Sequence, residues 1–210
     1  LEKIESLSVK RGRFFNEESY IRLKLKHISY GNTPEKALEE LNQRIEQAEK
    51  IPNFDAWVKS VLYHARGTLY ADKMRQFDKA VADLEKYWQF NKDDPNAQNT
   101  LGYTLLFVPN RINEGVALIE KSYKKMPESA PVQDSLGWGY YLQGKTQKAL
   151  PYLQSAYSKM PEAEVAAHLG EVLWQLGKKD EAQQIWQQGY QKDKNDLSLK
   201  EILQKFNVSF

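Results

Sequence analysis

Four glycines, Gly67, Gly102, Gly137 and Gly170, recur at spacings of 35, 35 and 33 residues, and a second set of small residues, Ala80, Gly115, Ala149 and Ala182, keeps step at 35, 34 and 33. Two small side chains per period are what a pair of antiparallel helices needs at its crossing, because the axes approach to about 8–10 Å only where nothing bulky intervenes. Leu and aromatic residues three, four and seven positions from these markers give each helix an apolar stripe. One helix pair alone leaves part of that stripe wet, and a neighbouring pair buries it. The period therefore predicts an all-α chain of stacked helix pairs.

The residues around the markers carry a more specific pattern. Leu136-Gly137-x-x-Tyr140, followed by Ala149-x-x-x-Leu153, Ala156 and Pro161, resembles the tetratricopeptide motif. Leu169-Gly170-x-x-Leu173 with Ala182-x-x-x-Trp186 is a second copy, and Leu101-Gly102-x-x-Leu105 with Gly115-x-x-x-Ile119 and Pro127 is a third. Gly67-x-x-Tyr70 with Ala80-x-x-x-Leu84 makes a fourth, carrying Arg66 where the motif favours Leu. The resemblance implies a right-handed superhelical α-solenoid with a C-terminal capping helix. It covers four repeats, near 53–93, 94–128, 129–161 and 162–195, preceded by a degenerate helical stretch over 1–52 and followed by a cap and tail over 196–210, all in one continuous domain. The last eighty or so residues, with Asp134-Ser-Leu-Gly-Trp138, Ala166-Ala-His-Leu-Gly-Glu-Val-Leu-Trp174 and Asp180-Glu-Ala182, also resemble the C-terminal ends of Gram-negative tetratricopeptide lipoproteins. That narrower resemblance implies a periplasmic adaptor for partner enzymes, including envelope proteases, tethered through an upstream lipidated segment; a cytoplasmic address is the alternative.

Composition bounds the partners. Thirty basic and twenty-eight acidic residues leave a formal charge of +2, a near balance that argues against a polyanion as principal partner. Lys10, Arg11, Arg13, Arg22, Lys24 and Lys26 form the one stretch where nucleic-acid contact would be sought. No apolar run approaches the roughly 18 residues of a membrane span, so no direct membrane insertion is expected. With no cysteine there is no disulfide framework and no thiolate chemistry. The chain opens at Leu1 rather than Met and reads as an excerpt or a processed form.

Local signals place the elements. Leu1, Ile4 and Leu7 suit a helix, and so do Ile21, Leu25 and Ile28, although Ile21, Leu23 and Leu25 also alternate as a strand would. Thr33-Pro34-Glu35 is a cap with Pro at the first helical position, ahead of a face of Leu38, Leu41 and Ile45. After a break at Ile51-Pro52-Asn53, helices are predicted over 54–72, 75–90, 96–107, 112–125, 131–143, 146–159, 164–175 and 179–192. Turns are expected at Asp94-Pro95, Pro109-Asn110, Gly144 and Gly177. The capping helix is predicted to start from a Ser198-x-x-Glu201 box and to present Leu199, Ile202, Leu203 and Phe206 on one face.

Nothing in the chain has the spacing of a catalytic or metal-binding motif. His27, His64 and His168 are the proton-transfer candidates near neutral pH, and none sits in such a pattern. The glycines fall one per repeat instead of clustering into a phosphate loop. No catalytic residue, metal or cofactor is expected. The resemblance instead implies a protein-binding groove. In the family, the first helix of each pair lines the concave wall, with residues three before, one after and four after the motif Gly pointing into it. Carried onto this chain, those offsets give His64 and Thr68; Asn99, Tyr103 and Leu106; Asp134, Trp138 and Tyr141; and Glu171 and Trp174. The rings in this strip suit stacking on a polypeptide segment, and the polar groups suit hydrogen bonding to it; the bland reading is that they fill gaps between first helices. Trp57, Trp88 and Trp186 are read as packing residues. The expected function is a non-enzymatic scaffold, with an assembly subunit self-associating through its ends or convex face as the alternative. A hydrolase or nucleotide-binding reading rests on the first fifty residues alone.

Overall fold

The computed structural model describes residues 33–90 and 92–210, and the expected elements and basic stretch before Thr33 lie outside the described residues. Every regular element among the described residues is an α-helix. The chain divides into two compact units, one ending at Ala97 and the other running from Gln98 to Phe210.

In the first unit, α1 (Pro34–Lys50) starts where the sequence predicts, with the Thr33 hydroxyl accepting from the Lys36 amide and Pro34 in the first turn. Its buried residues, Ala37, Leu41, Ile45 and Ala48, follow the three-to-four spacing of a single stripe, which packs on α2 (Ala56–Asp72). α2 begins two residues later than predicted, because the Asp55 carboxylate is the cap and accepts from the amides of Trp57 and Val58. It packs on α1 and α3 and is buried on most of its circumference. α3 (Phe77–Phe90) also starts two residues late, since Arg75 takes a left-handed φ of 53° that ends the turn before the helix. A Cβ at Gly67 would stand 2.8 Å from Leu84 Cγ, so this crossing is as tight as the repeat pattern requires.

Arg66, the departure from the motif, holds the first unit together. Its guanidinium donates to both oxygens of Asp83 on α3, at 2.6 and 2.8 Å, and to Asn42 Oδ1 on α1 at 2.7 Å. A residue on the middle helix thus ties the helices on either side of it. Tyr63 donates to Glu49, and burial, with that hydrogen bond and charge, pushes its hydroxyl pKa up to about 12.

The second unit takes up α4 (Pro95–Leu105) from Gln98 and continues through α5 (Ile112–Lys125), α6 (Ala130–Leu142), α7 (Thr146–Lys159), α8 (Ala163–Gln175), α9 (Lys179–Lys192) and α10 (Leu197–Phe206). α5, α7 and α9 have the predicted bounds; α4 begins one residue and stops two residues early, α6 begins and ends one residue early, and α8 begins one residue early. The pair α4–α5 closes on glycine from both sides: a Cβ at Gly102 would lie 2.8 Å from the Gly115 carbonyl oxygen, and one at Gly115 2.5 Å from that of Gly102. In α8–α9, a Cβ at Gly170 would collide with the Trp186 indole at 2.1 Å. The first helices are buried all round, α6 from Val132 to Tyr140 and α8 from Val165 to Leu173, whereas α7 buries only Ala149, Leu153 and Ala156. This asymmetry follows from position. α8 packs against α6, α7, α9 and α10, while the second helices keep an outer face in water.

Gly144 and Gly177, at φ of 76° and 79°, end the first helices in the left-handed region that a side chain would strain. Pro127 and Pro161 follow the last residues of α5 and α7, as the spacing predicts. The capping box is a correction. The cap of α10 is Asp196, whose carboxylate accepts from the Leu199 amide at 2.8 Å, and Ser198 lies inside the first turn with its hydroxyl donating to Glu164 instead. A carboxylate two residues earlier starts the helix sooner, satisfies the Leu199 amide in place of the Glu201 amide, and adds charge favourable to a helix start. The apolar face is as expected, with Leu199, Ile202 and Leu203 buried and Phe206 half-buried.

Candidate protein-binding site

The groove positions divide between the two units. In the first, His64 is half-buried and its ring sits 4.5 Å from that of Tyr87, while the Thr68 hydroxyl donates back to the carbonyls of His64 and Ala65 in its own helix. In the second, Asn99 is half-buried with its amide oxygen unpartnered, and Leu106 belongs to the core at 4% exposure.

The remaining positions converge on one network that joins α4, α6, α8 and α10. Asp134 presents both carboxylate oxygens to His168 Nδ1, at 3.0 and 3.1 Å. His168 Nε2 lies 3.4 Å from the Tyr103 hydroxyl, which donates to Glu164 at 2.6 Å. The Trp138 indole stacks with the His168 ring, at 4.3 Å and 17°, and with the Tyr141 ring, at 5.1 Å and 27°. Tyr141 donates to Glu171 Oε1 at 2.7 Å, and the Lys205 ammonium reaches the same oxygen at 2.6 Å. Trp174 is half-buried and forms a cluster with Trp186 and Phe206, at 5.4 and 5.3 Å. Trp186 itself is fully buried and donates to the Ala167 carbonyl, a packing residue as expected; Trp57 and Trp88 are half-buried.

His168 and Glu164 are the members that the repeat offsets missed. His168 sits two positions before Gly170, outside the groove offsets, yet it lies 34 residues from Asp134. That separation is one more than the 33 between Gly137 and Gly170, so the signal that pairs them is that near-equivalent places on adjacent first helices lie side by side. Burial opposes the charged form of His168 most strongly, but the charge and hydrogen bond of Asp134, with the charges of Glu164 and Glu171, hold its pKa above the ordinary value. Both ring nitrogens are engaged, one ring face is covered by Trp138, and the residue is 2% exposed. The imidazole is thereby a strut between first helices rather than an open proton-transfer group. Burial and the bond to Glu171 likewise push the Tyr141 hydroxyl well up, so it remains a donor across the physiological range.

Beside this network lies a depression of about 630 Å³. Trp138 and Tyr141 supply aromatic walls, and Glu171, Glu201, Ile202 and Lys205 close it from α8 and α10. Glu171 is 1% exposed, with Oε2 buried and unpartnered, and the Trp138 indole N–H is also without a partner. Among the described residues no group of three or more His, Cys, Asp or Glu is placed to hold a metal ion, and no helix is long and apolar enough to cross a membrane.

A family profile described as Tetratricopeptide repeat matches residues 140–205. The chain is also 34% identical over 144 residues to the TPR repeat-containing protein PA4667 of Pseudomonas aeruginosa, a match covering 69% of this chain and 23% of that protein. The chain carries tetratricopeptide repeats. It thus spans about a quarter of the length of the curated relative it matches. Solved tetratricopeptide-repeat structures share its fold. The thermophilic TPR protein TTC0263 of Thermus thermophilus superposes with a TM-score of 0.66 at 15% identity, over 91% of this chain and all of that one. A tetratricopeptide repeat protein from Parabacteroides merdae gives 0.67 at 17% identity, covering 88% of this chain and 68% of its own. Within the tetratricopeptide frame, the Trp138–Tyr141–Glu171 wall is carried by first helices.

Proposed function

We propose that this tetratricopeptide-repeat chain is a non-catalytic scaffold that holds a segment of another protein against the first helices of its second unit. The observation that carries this reading is the depression beside Trp138 and Tyr141, where aromatic walls meet a buried carboxylate with an unused oxygen. Aromatic side chains supply large contact area at low entropy cost, and polar groups fix the orientation of what they bind. We further propose that the chain works in a Gram-negative envelope, on the periplasmic side, tethered through an upstream lipidated segment and holding a partner enzyme near its substrates. The resemblance of its last eighty residues to periplasmic lipoproteins supports that address.

The test is site-specific photo-crosslinking. A benzophenone side chain at Tyr141 should capture a defined partner from a Gram-negative envelope extract, and the same group at the exposed Gln187 of α9 should not. Trp174→Ala should reduce that capture, since a half-buried aromatic anchor at an interface contributes about 2 kcal/mol. Equal crosslinking from both positions would move the interface to another face. Fractionation of the tagged full-length protein after osmotic shock tests the address.

A further inference from the structure

We infer that the depression between α6, α8 and α10 is a receptor for an arginine side chain of the bound polypeptide, an assignment that rests on the scaffold reading and names the chemistry its site selects. Glu171 is the most deeply buried lining residue, at 1% exposure against 7% for Trp138 and 9% for Ile202. Its Oε1 already accepts from Tyr141 and Lys205, while Oε2 has no hydrogen-bond partner. A carboxylate oxygen held out of water calls for a donor, and a cationic donor compensates best because it neutralises the charge as well. Of the lining residues, Lys205 alone brings an ammonium to Glu171, and it does so at Oε1.

The walls separate guanidinium from ammonium. The Tyr141 ring is half-buried with one side on Trp138. A planar, weakly hydrated guanidinium stacks on such a ring while donating edge-on to a carboxylate, and with Lys205 swung aside its fork of donors would serve Oε2 while Tyr141 keeps Oε1. A lysine ammonium is a strongly hydrated point charge and does not share its plane with the ring. Lys205 is the internal competitor. Its side chain is 54% exposed and lies at the rim, so it is free to swing outward when a better donor arrives. Two substitutions on opposite sides of one ion pair should then act in opposite directions.

The experiment uses the full 210-residue chain and Gly/Ser nonapeptides that differ only at the central residue, arginine, lysine, norleucine or glutamate, titrated by NMR at the Trp138 indole resonance. The arginine peptide is expected to bind about tenfold tighter than the norleucine peptide, with lysine between them and glutamate weakest. Glu171→Gln should bring arginine and norleucine within about twofold, and Lys205→Met, at an exposed position, should tighten arginine binding severalfold in the folded chain, whose folding is checked by circular dichroism. N-acetyl-arginine amide binding as tightly as the peptide would overturn the polypeptide part, leaving a small-molecule site. Equal affinity for arginine, norleucine and glutamate, or a loss of affinity on Lys205→Met, would overturn the arginine assignment while leaving the scaffold reading intact. Absence of any binding overturns the assignment too, whereas the scaffold reading fails only if crosslinking from Tyr141 also fails.

Discussion

At the scale of single residues, two buried charges separate what a motif predicts from what a fold needs. Arg66 replaces the motif's Leu and is paired with Asp83, at side-chain exposures of 18% and 5%. Removing one partner strands the other in the core, so Asp83→Ala is expected to lower unfolding free energy by about 3 kcal/mol in urea titration. Loss of the exposed Lys178–Glu181 pair should change it by less than about 0.5 kcal/mol. His168 makes stability depend on pH. Its folded pKa lies above the unfolded value of 6.5, so its stabilisation is complete below 6.5 and is lost as pH rises through the folded value. The groups facing it, Asp134, Glu164, Glu171 and Tyr103, come from α4, α6 and α8, and the midpoint of thermal unfolding should fall as pH rises through that folded value. His168→Gln should flatten that dependence.

At the scale of helices and pairs, much of the structure was legible because the decisive interactions are local. α5, α7 and α9 have the predicted bounds, with Gly144 and Gly177 in the turns before α7 and α9 and Pro127 and Pro161 after α5 and α7. Starts set by a single carboxylate or a single left-handed residue were less legible. Asp55 and Asp196 each compete with a nearby residue that satisfies the same capping rule, Asn53 and Ser198, and the left-handed Arg75 has no glycine to mark it. The glycine pattern is legible for a stronger reason, since the space it keeps clear is occupied by a partner helix. Gly102→Ala gains about 1 kcal/mol of helix propensity but drives a methyl to 2.8 Å from the Gly115 carbonyl, a backbone atom that cannot rotate away. A net loss of about 2 kcal/mol is expected in thermal or urea unfolding. Gly67→Ala should cost less, because its nearest obstacle is the Leu84 side chain.

At the scale of the whole molecule, a repeat array has an end problem. Each pair leaves an apolar face for the next, and the last one here is covered by α10, which packs on α8 and α9 through Leu199, Ile202 and Leu203. Phe206 lies 5.4 Å from the Trp186 ring. Deleting residues 197–210 should destabilise the second unit by on the order of 3 kcal/mol or more and promote association, read by urea unfolding and light scattering. The deletion also removes Lys205 from Glu171 and Ser198 from Glu164, so the candidate site is built partly by the cap.

The amino-acid order alone determined the helical class, the pairing of helices and the places of closest approach, because a period near 34 residues is a statement about steric room that any fold of this chain must satisfy. It also placed Tyr103, Trp138, Tyr141 and Glu171 on first helices. It did not determine which of their atoms are used up and which remain. That His168 locks Asp134 to Tyr103, that Glu171 keeps one oxygen unpartnered, and that Lys205 comes from the cap to meet it are contacts between residues about one repeat or more apart. Side-chain reach and burial decide such contacts, and neither exists until the helices have packed.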